Sequence, residues 1–143
     1  MIAVDTNILV YAHREDSPWH AQAYAAIVDL AESRAQWAIP WPCVHEFLSI
    51  VTHPKIYTPP TPLHKATDQI QAWFESPSLM LLQEMEGYWL AFRKIVETGQ
   101  IVGGQMHDAR IAALCILHEV QELWTADRDF SRFSGLKVRN PLI

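Results

Sequence analysis

Short apolar runs alternate along this chain with longer stretches in which apolar side chains recur every three to four positions. Residues 2–4 form a brief run with β-branched ends and predict a buried strand. Residues 6–12 then read as a short helix, with Asp5 or Thr6 as its cap. Ser17-Pro18 signals entry into a second helix over residues 19–33. A second strand is predicted over residues 37–39 and is closed by Pro40. Pro42 is placed for the first turn of a helix that runs to about Thr52 and is ended by Pro54. The segment holding Pro59, Pro60 and Pro62 is stiff. It reads as a loop within one domain spanning residues 1–143 rather than as a linker, because neither side is long enough to build a core easily.

Beyond the prolines, residues 63–74 predict a helix broken at Ser76-Pro77, and residues 79–82 a third strand. Residues 86–98 predict a further helix ended by Gly99. Gly103-Gly104 mark a loop, and Asp108 opens the next helix. A fourth strand is expected over residues 123–125 and a short fifth over 136–138. Short apolar strands alternating with helices imply an α/β fold with a mainly parallel sheet of four to five strands, covered on both faces. Ligands of open α/β sheets bind beyond the carboxyl ends of the strands. Asp5 and Asp127 both follow predicted strands, which puts them at one edge.

Four acids interrupt this apolar pattern: Asp5 in MIAVDTN, Glu46 in VHEFLSIV, Asp108 in HDARIAALCIL and Asp127 in ELWTADRDF. Each has an ordinary alternative. Asp5 is a good helix cap, Asp108 suits the first turn of a helix, and Asp127 and Asp129 suit a turn. Glu46 shares a helix face with Cys43 and Ile50, where a charge is costly unless paired, so a buried salt bridge is its alternative. Taken together, carboxylates from separate elements suit Mg²⁺, with Mn²⁺ as a substitute. Zinc is disfavoured, because the seven histidines show no paired ligand spacing. His45 and His107 adjoin Glu46 and Asp108 and are candidates for supporting contacts.

Composition narrows the function classes. Half of the 143 residues are apolar, enough for a core. No stretch approaches the roughly 20 apolar residues of a membrane span, and no basic leader precedes the first apolar run. Cys43 and Cys115 read as small buried thiols, and the expected location is the cytoplasm. The formal charge of −5 argues against a nucleic-acid coat but not against a nucleic-acid enzyme that works through a cation. Arg128 and Arg132 lie beside Asp127 as candidate phosphate contacts. The segment from Gly99 to Gly104 holds no phosphate-cradling motif, and Ser49 and Ser131 lack the setting of a nucleophilic serine. Among the six tryptophans, Trp37, Trp73 and Trp124 are expected in the core, and Trp19 and Trp41 in partner contacts.

The segments VDTNILVYA, CVHEFLSIV, HDARIAA and TADRDFSRFSGLKVRNP together resemble the PIN domain, and more narrowly the VapC-type ribonuclease toxins of type II toxin–antitoxin pairs. The similarity runs the length of the chain, with no departure at the acidic positions. It implies a Rossmann-like three-layer α/β/α sandwich. It also implies an acidic quartet of Asp5, Glu46, Asp108 and Asp127, with Mg²⁺ held by Asp5, Asp108 and Asp127. Thr6, Asn7 and Thr125 complete the motifs, and Asp129 replaces or assists Asp127. An RNA substrate, a homodimer and a VapB-type antitoxin are implied as partners. Glu46 is expected to orient or deprotonate a water. Two readings compete: a phosphatase with Asp5 as nucleophile, for which Asn7 stands where a second acid is usual, and a PIN-like protein-interaction module without catalysis.

Overall fold

The computed structural model describes residues 1–143. Its elements follow the order β1 (Ile2–Val4), α1 (Thr6–His13), α2 (His20–Glu32), β2 (Trp37–Pro40), α3 (Trp41–Val51), α4 (Leu63–Phe74), β3 (Leu79–Leu82), α5 (Tyr88–Gly99), α6 (Met106–Leu117), β4 (Glu122–Trp124) and β5 (Val138–Arg139). Single 3-10 turns cover Gly103–Gln105 and Arg128–Arg132. The five strands form one sheet in the order β3-β2-β1-β4-β5, parallel at every pairing. The expected α/β sheet is therefore present, flanked by six helices. No helix is long and apolar enough to cross a membrane.

Parallel strands buried on both faces need continuous apolar side chains rather than alternation. WAIP in β2 meets that demand, with all four residues buried. The central strand β1 pairs Ala3 with Ala38 on one side and with Leu123 on the other. Helix α1 packs against α2 and α3, α3 against α4, and α5 against α6. Trp37, Ile39, Phe47, Ile111, Leu114 and Leu123 are fully or almost fully buried between these layers. Trp37 also satisfies its indole, donating from Nε1 to Ser76 Oγ at 3.1 Å.

The prolines act as the sequence implies. Pro42 sits in the first turn of α3, where no backbone donor is lost, and Pro62 precedes α4. The proline-rich segment is tied back to the domain: Thr61 donates its backbone N–H to Val51 O at 2.7 Å, and Arg14 donates to Pro59 O at 3.0 Å. Some boundaries move. Helix α5 starts at Tyr88 rather than at Glu86, because Gly87 takes a left-handed φ of 89° that ends the preceding loop. Helix α6 starts at Met106, not Asp108, because the turn over Gly103–Gln105 leads straight into it. Strand β4 ends at Trp124 and leaves Thr125 free to face the site, and β5 shifts to Val138–Arg139. Trp37 and Trp73 are core residues, whereas Trp124 is half-buried. Trp41 is engaged within the fold, edge-on to Phe74 and stacked on His45, while Trp19 stays 40% exposed.

Phe47 anchors α3. Its ring meets His13 edge-on at 5.3 Å and Trp73 at 5.1 Å, and it is wholly buried. Replacing Phe47 with alanine removes both ring pairs and leaves a cavity beneath the helix that carries Glu46. The expected loss is about 3–5 kcal/mol, read as a lower midpoint in urea unfolding with an unchanged slope.

Candidate metal centre

The site is built on the carboxyl end of the central strands. Asp5 leaves β1 and caps α1, accepting the Thr6 N–H on Oδ1 at 2.7 Å. The Cys43 thiol, from α3, approaches the same oxygen at 3.7 Å. On Oδ2, Asp5 accepts the Thr125 hydroxyl at 2.8 Å and the Asn7 amide at 3.3 Å. Thr125 in turn accepts from Asn7 Nδ2 and from the Asp127 N–H, both at 3.0 Å. Its hydroxyl thus uses one donor and two acceptor positions, which is its full capacity. Asn7 closes the ring by accepting the Ala126 N–H at 3.0 Å. Six residues from two strand ends, Asp5, Thr6, Asn7, Thr125, Ala126 and Asp127, are locked into one network.

Glu46 stands half-buried on α3 beside Cys43. The salt bridge considered for it is absent; instead it accepts the Thr6 hydroxyl at 2.8 Å. A hydroxyl holds the carboxylate in place without cancelling its charge. Asp108 is half-buried near the start of α6. Its carboxylate, with those of Asp127 and Asp129, brings oxygens within 4.8 Å of one another. Asp127 also caps the last 3-10 turn, accepting the Asp129 N–H at 2.8 Å. Asp5 and Glu46 lie outside this trio, although the Glu46 charge acts on Asp108 and the Asp108 charge acts on Asp5.

Electrostatics tie the five acids together. Burial pushes the Asp5 carboxyl up from its ordinary 3.8 to about 6; the Thr125 and Thr6 hydrogen bonds pull it down, and the Glu46 and Asp108 charges push it further up. Asp108 is also raised, by burial first and then by the Asp127 charge, with Arg132 opposing. Arg132 offsets only part of the like charge that these acids face across a partly dry site, and a divalent cation supplies more. The oxygen-only donor set fits a hard cation rather than zinc. His45 and His107 are exposed, and neither ring makes a hydrogen bond to Glu46 or Asp108.

Other expected contacts resolve differently. Arg132 turns back onto Asp129, with its Nη2 at 3.4 Å from Oδ1, whereas Arg128 is exposed and makes no ion pair. Cys43 had been read only as a small buried thiol, yet it contacts the central carboxylate, and burial with the Asp5 charge pushes its own pKa well above the ordinary range. Its spacing of three residues from Glu46 on α3 was the available signal.

A carboxyl raised in the folded state makes its contribution fully present below the unfolded value of 3.8 and loses it as pH rises through about 6. In chelator, stability is therefore expected to fall between about pH 3 and pH 7 by on the order of 3 kcal/mol from Asp5 alone, with roughly half of that above pH 5. Urea unfolding across that window reports it. Asp5→Asn should flatten the fall.

Comparison with known proteins agrees with this geometry. Residues 2–136 match the family model of the PIN domain. VapC ribonuclease Mb2897 of Mycobacterium bovis is 34% identical over 142 residues, covering 99% of this chain and 96% of the relative. Ribonuclease VapC48 of Mycobacterium tuberculosis is 28% identical over 137 residues, covering 96% and 94%. VapBC2 from Rickettsia felis, solved bound to a DNA fragment from the promoter, shares the fold with a TM-score of 0.71, at 19% identity over 98% of both chains. With the family model matched over residues 2–136 and a relative 34% identical along nearly the whole chain, this protein belongs to the PIN-domain family, among relatives named as VapC ribonucleases.

Proposed function

We propose that the protein is a Mg²⁺-dependent endoribonuclease, with Mn²⁺ as a substitute, and the toxin of a VapBC-type toxin–antitoxin pair. The observation that carries this reading is the convergence of Asp108, Asp127 and Asp129 beside a buried Asp5 and a half-buried Glu46, on a chain 34% identical to a VapC ribonuclease. Asp5, Asp108 and Asp127 would hold the cation, with Asp129 assisting. When bound, the cation supplies Lewis acidity toward a phosphodiester oxygen and toward water.

The chain's own groups do the rest. The Thr6 hydroxyl fixes one oxygen of Glu46 and leaves the other to orient a water and take its proton. Asn7 and Thr125 hold Oδ2 of Asp5, and the Thr6 N–H holds Oδ1, so the carboxylate is fixed in orientation. Arg128, exposed and unpaired, contacts an RNA phosphate, and Arg132 does so when it leaves Asp129. An aspartyl-phosphate route is disfavoured because Asn7 stands where that chemistry uses a second acid, and its amide instead donates to Asp5 and accepts the Ala126 N–H. A protein-interaction module without catalysis has no use for five charge-coupled carboxylates, which destabilise the fold.

The partners follow from the same reading. A VapB-type antitoxin is the cognate inhibitor, and the working compartment is the cytoplasm. A homodimer is supported by Trp89 and Leu90 on α5, which stand 63% and 70% exposed, since large exposed apolar side chains mark contact surfaces.

Single-stranded RNA with Mg²⁺ or Mn²⁺ is expected to be cut by the wild-type protein and spared in chelator. Asp108→Asn should slow cutting by about 10²–10³-fold and Glu46→Gln by about 10²–10⁴-fold, with the circular dichroism spectrum retained. Undiminished cutting by both variants would remove the assigned site. For the assembly, light scattering should return twice the chain mass of 16.4 kDa, and Leu90→Asp should return the single-chain mass.

A further inference from the structure

A groove of about 450 Å³ runs between α5, α6 and the segment that follows the last 3-10 turn. Ala91, Ile95, Ile116 and Phe133 give it an apolar lining, and Lys94 and Arg132 add two cations. No carboxylate lines it, although the chain carries 16 acids against 11 bases. Lys94 is exposed, and none of the protein's ion pairs involves it. Arg132 links the groove to the acidic site, because its guanidinium lies 3.4 Å from Asp129 Oδ1 and Asp129 belongs to the converging trio.

The dimensions and chemistry select an occupant. The volume lies within the roughly 300–1,000 Å³ of small-ligand pockets, which admits one nucleotide and excludes a duplex. An apolar lining receives the face of a base, a cation at the edge receives phosphate, and the Thr98 and Ser134 hydroxyls offer hydrogen bonds to base or sugar edges. Single-stranded RNA presents these three features in one repeating unit. An apolar peptide would satisfy the lining but leave Lys94 without a counter-charge.

We propose that this groove is the subsite for the nucleotide next to the scissile phosphodiester of single-stranded RNA, with its base against Ile95, Ile116 and Phe133 and its phosphate on Lys94 and Arg132. The inference rests on the ribonuclease reading and adds to it where base preference is set. The acidic site cuts whatever phosphodiester is presented; the groove decides which one that is.

The test uses the full chain with Mn²⁺ and a pool of single-stranded oligoribonucleotides randomised at every position, with cut ends mapped by sequencing. Two exposed positions are varied, so that folding is spared: Lys94→Glu and Ser134→Trp. Lys94→Glu is expected to raise KM by about tenfold and to lower the salt dependence of binding by about one phosphate contact. Ser134→Trp partly fills the groove and is expected to change base preference at one position flanking the cut. Wild-type KM and wild-type base preference in both variants would overturn the subsite while leaving the ribonuclease reading intact. Unchanged RNA cutting accompanied by a changed molar mass would identify the groove as a protein contact and also overturn the proposal. Failure of the wild-type protein to cut any member of the pool would overturn both readings.

Discussion

One buried carboxylate holds the architecture of this site together. Asp5 ends the central strand, caps the first helix, and takes hydrogen bonds from Thr6, Asn7, Thr125 and Cys43. Those donors come from α1, α3 and the end of β4, so one side chain fixes how three parts of the chain meet. Removing a carboxylate from water is expensive, and hydrogen bonds return only part of the cost. The remainder is visible in the raised Asp5 pKa. A neutral side chain of similar shape would give a more stable domain. The charge is therefore kept for what it does at the strand ends, where its field reaches Glu46 and Asp108.

That charge raises a second constraint. The proposed substrate is a polyanion, the protein has a formal charge of −5, and the site gathers five carboxylates. Coulomb repulsion would keep RNA away unless positive charge is brought in. A divalent cation supplies part of it at the point of chemistry. The chain supplies the rest beside the site, at Arg128, Arg132 and Lys94, on the final turn and on α5. Separating the two signs lets the acids bind a cation without being neutralised by the protein's own basic side chains. Arg132, touching Asp129, is the one place where the two zones meet.

Much of this was written locally in the sequence. Strand β1 and helix α4 fall where the apolar pattern and its proline punctuation place them, since each is specified by residues within its own span. The positions of Asp5 and Asp127 after strands followed from the same local reading, together with the general placement of sites in parallel sheets. What was not legible depends on distance along the chain. In place of the ion pair weighed as an alternative for Glu46 there is a hydroxyl contact to Thr6, 40 residues away. The Thr125 bond to Asp5 spans 120 residues. No periodicity encodes such pairs. The groove is harder still to foresee, because α5 contains no buried residue and its inner face reads as ordinary amphipathic surface.

The fourth acidic corner shows how local geometry separates two candidates that the sequence leaves equal. Asp127 has its backbone N–H on Thr125, and Thr125 donates to Asp5, so two hydrogen bonds join Asp127 to the centre of the sheet. Its carboxylate is further fixed by the Asp129 N–H. Asp129 makes no bond to the strand ends; its carboxylate is exposed and pairs with Arg132 at 3.4 Å. A cation ligand benefits from being held before the ion arrives, because less conformational freedom is then lost on binding. Of the two, Asp127 is the carboxylate held in advance. Asp129 shares the acidic trio and also pairs with Arg132, so the acidic and basic zones are joined at one side chain.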